Sequence, residues 1–208
     1  MTKYFACFGL PGSLVLTMLM SALALVLAVV FRSQDRWLCL MAMLLSSVGD
    51  VILMNWRGIG HRLPIPGFYA GAMFFILAHF VYTAAYAGMI RRNGYSYRNA
   101  GFWIALSLIV LIGVTVTVMC LRRIRVNWTM YGLCIVYLCV IGCMLATVFS
   151  FAWSVRGWRS IAAVGALSFF LSDLIIGLDR LLYITTPRLQ GMIWELYPVG
   201  QILLLLCG

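Results

Sequence analysis

Asp50, His79 and Asp173 stand well inside long apolar runs of the chain. A carboxylate near the centre of a bilayer costs about 2.5–3.5 kcal/mol on insertion scales, and such residues normally face a bundle interior and mark a site or pathway. Two carboxylates in one low-dielectric cavity oppose each other's ionisation, so one can hold a proton while the other is an anion. That division into donor and anion is what cleavage of an acid-labile bond requires. The same residues also suit proton-coupled transport, or hydrogen bonds that only lock helices together. Residue types and spacing leave all three readings open.

The elements that must position these residues follow from composition. Of 208 residues, 64% are hydrophobic and 10% charged, with fifteen Lys and Arg against five acids and a net charge of +10. A soluble domain carries about 45–50% apolar and about 25% charged residues. The balance excludes an ordinary soluble enzyme, a disordered chain and a secreted disulfide scaffold, and leaves a polytopic membrane protein. The basic residues form short clusters between apolar runs, as membrane-edge anchors do, so nucleic acid is not an expected partner.

A membrane helix needs about 20 mostly apolar residues. The hydropathy pattern predicts spans at 12–31, 37–56, 67–90, 100–121, 128–153, 159–178 and 190–207. The expected fold is an all-α, polytopic transmembrane helix bundle of about seven spans, read as a single transmembrane domain over residues 1–208. The first span is too long for a typical signal-peptide core of about 7–15 apolar residues. Asp35 and Asp179 fall at span ends beside Arg36 and Arg180 and read as interfacial ion pairs. The loop Arg91–Asn99 reads as a polar interfacial turn. Basic residues divide almost evenly between the two sides, so the positive-inside rule does not choose an orientation.

The second and sixth spans run in the same direction, which puts Asp50 and Asp173 in the same half of the membrane. The seventh span starts on that side and brings Glu195 and Tyr197 to a similar depth, while Tyr82 lies over the same face as His79. One polar cavity would collect Asp50, His79, Tyr82, Asp173, Glu195, Tyr197 and Gln201. Gly67 and Gly71 form a G-x-x-x-G step, and Gly165, Ala166 and Ser168 lighten the sixth span, so helices can approach closely there. The seven cysteines form no C-x-x-C pair and read as small apolar packing residues. With two histidines and no H-E-x-x-H, no metal or other cofactor is expected.

Four runs then stand out together: S-S-V-G-D-V-I-L at Ser46–Leu53, G-F-Y-A-G-A-M-F-F-I-L-A-H-F-V-Y at Gly67–Tyr82, G-A-L-S-F-F-L-S-D-L-I-I-G-L-D-R at Gly165–Arg180, and Y-P-V-G-Q-I-L-L-L-L-C-G at Tyr197–Gly208. Their order and spacing resemble the YhhN family of integral membrane proteins, the lysoplasmalogenase family. The resemblance implies hydrolysis of the vinyl ether bond of lysoplasmalogens, giving a fatty aldehyde and glycerophosphocholine or glycerophosphoethanolamine. Residues matching the family's motifs are Gly49, Asp50, Gly71, Phe75, His79, Tyr82, Ser172, Asp173, Arg180, Tyr197 and Gln201. Family members usually have eight spans with a Lys-Pro pair opening the second; here Leu10-Pro11 stands at that place.

The implied roles are catalytic for Asp50, Asp173 and His79, and substrate-binding for Tyr82, Ser172, Arg180, Glu195, Tyr197 and Gln201. Arg57, Arg62, Arg180 or Arg188 would suit the lipid phosphate, since guanidinium matches its geometry. The implied partners are a lysophospholipid substrate and the surrounding lipids. The implied location is a cell membrane, read as a bacterial inner membrane, crossed several times. The rival reading is a small proton-coupled transporter, with the aspartates at matching places in a three-plus-one-plus-three arrangement of spans.

Overall fold

A computed structural model describes residues 12–122, 127–155, 157–183 and 186–208. Lys3 and Leu10-Pro11, and the expectations attached to them, lie outside the described residues, as do Arg123, Arg125 and Arg156. The described chain is helical: α1 (Gly12–Phe31), α2 (Gln34–Leu53), the short α3 (Ile59–Arg62), α4 (Gly67–Arg92), α5 (Ala100–Leu121), α6 (Trp128–Ser154), α7 (Ala162–Leu182) and α8 (Pro187–Cys207). Seven of these helical segments are long and apolar enough to cross a membrane, with a 3-10 segment at Trp158–Ile161 leading into α7. The fold is the expected all-α polytopic bundle.

Several helix ends differ from the hydropathy reading, each for a local reason. Ser33 caps α2, accepting from the Arg36 amide, so the helix begins at Gln34 rather than Trp37. It stops at Leu53 because Asn55, Arg57 and Gly58 take left-handed backbone angles that turn the chain toward α3. Asp179 and Arg180 do not end α7, which runs on to Leu182 and stops at left-handed Tyr183. Pro187 opens α8, where its missing N–H is harmless, and the Thr186 hydroxyl accepts from the Leu189 amide.

The described residues form two compact units, one ending at Ala85 and including Gly208, the other Tyr86–Cys207. In the first, α1 and α2 pair along a stripe of hydroxyls at helical spacing. Ser13 Oγ donates to Met54 Sδ at 2.9 Å, Thr17 Oγ1 to Asp50 Oδ2 at 2.9 Å, and Ser21 Oγ and Ser47 Oγ share a bond of 2.8 Å. Glycine lets α2 and α4 approach. A Cβ on Gly49 would lie 2.7 Å from the Phe75 ring and 3.2 Å from the Gly71 carbonyl oxygen, and one on Gly71 would lie 2.6 Å from Leu53 Cγ. Gly67, the other half of the expected step, packs instead on the Gly60 backbone of α3.

In the second unit, α7 and α8 cross at Gly165 and Gly200. A Cβ on Gly200 would meet the Phe169 amide nitrogen at 2.7 Å and the Gly165 carbonyl at 2.9 Å. Val116, Cys120 and Leu182 form a buried cluster joined by Ile112, Tyr131, Leu178 and Leu181, which ties α5 to α6 and α7. The Arg91–Asn99 turn is pinned to α6: Asn99 Nδ2 donates to the Ser150 carbonyl at 2.7 Å and to Ser154 Oγ at 2.9 Å, while its Oδ1 caps α5 at the Phe102 amide. Two carbonyls at the C-terminal end of α8 are held by Tyr86 Oη on Leu204 and the Arg159 guanidinium on Cys207. Outward faces carry exposed Leu19, Val30, Leu111 and Leu121, as lipid-facing helices do.

Candidate functional site

The first unit buries three of the residues singled out in the sequence. Asp50 is 6% exposed, and His79 and Tyr82 are fully buried. Asp50 lies three residues before the end of α2, immediately after Gly49, so the closest approach of α2 to α4 holds its backbone. Its carboxylate takes the Thr17 hydroxyl from α1. His79 and Tyr82 are three apart on α4 and project over one face. Ser46, one turn before Asp50 on the same face of α2, is fully buried as well.

The second unit buries Asp173 at 8% exposure on α7. Tyr137 Oη of α6 donates to Asp173 Oδ2 at 2.6 Å. Ser172 is fully buried beside it. On α8, Gln201 Nε2 donates to Tyr197 Oη at 3.3 Å, and the Tyr197 ring packs edge-on against Phe169 at 5.3 Å between centroids. Phe169 is one turn before Asp173 on α7.

The remaining expected residues differ in burial. Arg180 and Glu195 are exposed, as are Arg57, Arg62 and Arg188. Asp35 and Arg36 are not a solvent-side pair: both are buried in the first turn of α2, with the Arg36 guanidinium 4.9 Å over the Phe31 ring. Cys139 and Cys143 point outward, while Cys39, Cys120 and Cys207 are buried. Among the described residues, no group of three His, Cys, Asp or Glu side chains is gathered to hold a metal ion.

Thr17 and Tyr137, which hold the two aspartates, were not singled out from the sequence. For Thr17 a signal was present: Ser13, Thr17 and Ser21 repeat every fourth residue on the otherwise apolar α1 and mark a face that meets something polar. Tyr137 is one tyrosine in an apolar run and carries no comparable pattern.

Seven membrane-length helices and an interior that buries carboxylates, a histidine and paired hydroxyls define the class: a multi-pass integral membrane protein with a polar interior. The chain belongs to the YhhN family, whose sequence profile matches residues 13–207. No curated protein and no solved structure matches the chain.

Proposed function

We propose that this protein is a membrane hydrolase that cleaves the vinyl ether bond of lysoplasmalogens, with Asp50 and Asp173 as the acid–base pair. The observation that carries this reading is that each motif aspartate of a YhhN-family chain is buried in a span and held by a hydroxyl from the preceding span. A carboxyl group kept in an apolar interior with a directed hydrogen bond is suited to moving a proton at a fixed place.

The chemistry runs as follows. One carboxylic acid gives its proton to the β-carbon of the enol ether, and the ether oxygen stabilises the resulting oxocarbenium ion. The other carboxylate, as an anion, steadies that charge and takes a proton from water as the water oxygen bonds to the α-carbon. Transfer of the remaining hydroxyl proton to the ether oxygen breaks the carbon–oxygen bond of the hemiacetal. The products are a fatty aldehyde and glycerophosphocholine or glycerophosphoethanolamine, for a net addition of one water. His79 and Tyr82 orient water or relay protons, Ser172, Tyr197 and Gln201 contact the lipid, and Glu195 and the exposed Arg180 meet its polar end. The site works within a cell membrane, which we take to be a bacterial inner membrane.

The test is aldehyde release by detergent-purified protein from a lysoplasmalogen and from its saturated ether analogue. Aldehyde from the vinyl ether alone supports the reading. No aldehyde from either, together with solute flux in proteoliposomes, supports a transporter.

One observation favours that second reading. In both α1–α2–α4 and α6–α7–α8, the middle helix carries an aspartate bonded to a hydroxyl of the preceding helix and meets the following helix through a pair of glycines. Repeated triplets of this kind are a common plan of membrane carriers. The repeat is inexact: the glycine directly precedes the aspartate on α2 but stands eight residues before it on α7.

A further inference from the structure

Ser46 is fully buried, and its hydroxyl has no hydrogen-bond partner among the described residues. The neighbouring hydroxyls of the same unit behave differently. Ser21 donates to the Thr17 carbonyl at 2.9 Å, Ser47 to the Met43 carbonyl at 2.8 Å and Thr83 to the His79 carbonyl at 2.7 Å. The equivalent bond is open to Ser46 on the carbonyl one turn back, at Ala42, and it is not made. Leaving a buried hydroxyl unmatched costs free energy, so this orientation points to something polar within reach.

The packing of α2 on α4 shows what surrounds it. Gly49 meets Phe75, and Leu53 meets Gly71, so the two helices run antiparallel. Carrying that register one turn further brings Ser46 level with Ala78 and His79, both fully buried. Along α2, Asp50 is one turn from Ser46 on the same face. The Ser46 hydroxyl therefore lies in an interior region that also holds an imidazole and a carboxylate. A buried water needs about 2–4 polar partners, and these residues supply them.

We propose that Ser46, Asp50 and His79 hold an ordered water, and that this is the water that adds to the oxocarbenium ion. The second half rests on the hydrolase reading above; the first does not. Ser46 is then a positioning residue. Its hydroxyl fixes the oxygen of the water while a carboxylate takes the proton released as the new carbon–oxygen bond forms.

Ser46→Ala tests this, since it removes one oxygen atom and adds no bulk. With a lysoplasmalogen as substrate, kcat falls by about tenfold or more while KM and Tm hold, the pattern of an interaction made in the transition state. Methanol added to the assay captures a larger share of the oxocarbenium ion as a mixed acetal, because water has lost its held position. An unchanged kcat and methanol share would overturn the assignment. So would a fall in Tm that accounts for the lost rate, which would make Ser46 a packing residue. A high-resolution density map of the wild-type protein separates this outcome from a failure of the hydrolase reading. Density for a water bridging Ser46 and Asp50 supports the site even if no aldehyde forms. A Ser46 hydroxyl turned onto the Ala42 carbonyl, with no such density, overturns it even if aldehyde does form.

Discussion

On α2 the aspartate is held by an aliphatic alcohol, Thr17, at 2.9 Å, and that bond is one of three in a polar stripe joining α1 to α2. On α7 the aspartate is held by a phenol, Tyr137, at 2.6 Å, while the crossing of α7 with α8 rests on glycine and aromatic contacts. The first unit spreads its polar groups along a seam, so each bond contributes a modest share. In the second, Asp173 takes a short bond from a phenol, and the helix crossing beside it is made by apolar and backbone contacts. Similar bonds can therefore carry different weight, because an interior hydrogen bond strengthens as its surroundings become less polar.

The strongest way to break the comparison is to remove each carboxyl group. Asp50→Asn and Asp173→Asn should each lower vinyl ether turnover by about 10²–10⁴-fold, the range for losing a positioned acid or base. The double variant should be little worse than either single one, because groups that act as a unit are non-additive. If one variant keeps near wild-type turnover in the aldehyde assay, the paired-aspartate reading fails.

The glycine crossings come next. Gly200→Ala drives a methyl group into the Phe169 amide and the Gly165 carbonyl, backbone atoms that cannot step aside without moving a helix. Overpacking of this kind costs about 1–3 kcal/mol, and Gly200→Ala belongs at the upper end. Gly49→Ala meets mainly the edge of the Phe75 ring, a side chain with more freedom to move, and belongs nearer the lower end. Thermal unfolding of the two variants in one detergent gives the order directly.

Removing the hydroxyls tests the polar contrast. Tyr137→Phe should destabilise by about 1–3 kcal/mol, the cost of leaving a buried acceptor without its donor. Thr17→Val should cost about 0.5–1.5 kcal/mol, because the stripe on either side remains. Equal losses in denaturant titrations would mean that the two interiors are alike.

The helix caps close the series, with the smallest effect at Ser33. Asn99→Ala removes the α5 cap and two ties to α6, for a loss of about 1–2 kcal/mol. Ser33→Ala removes a long bond of 3.4 Å and should cost a few tenths of that, read as a shift in Tm.

Much of this fold was legible because membrane spans are written in hydropathy. The starts of α1, α4, α5 and α6 follow directly from the apolar runs. The ends of α2 and α7 did not, because left-handed residues at Asn55, Arg57 and Tyr183 set them, and backbone angles leave little trace in composition. Burial of Asp50, His79 and Asp173 followed from the cost of placing such groups against lipid. The partners were harder to see, because an aspartate accepts from any hydroxyl that tertiary packing supplies. Exposure of Arg180 and Glu195 had the same obstacle, since depth along a helix says nothing about which way a side chain turns. Asp35 and Arg36 show the limit most clearly: a charged pair at a span end reads as an interfacial ion pair, and nothing in the sequence tells that both side chains are buried.

The most direct test of the paired-aspartate proposal is aldehyde release from a lysoplasmalogen and from its saturated ether analogue, measured for the wild-type protein, Asp50→Asn, Asp173→Asn and the double variant. The expected result is aldehyde from the vinyl ether only, with the two single variants and the double variant reduced to a similar low rate. Turnover that survives the loss of both carboxyl groups, or no turnover by the wild-type protein on the vinyl ether, would contradict it.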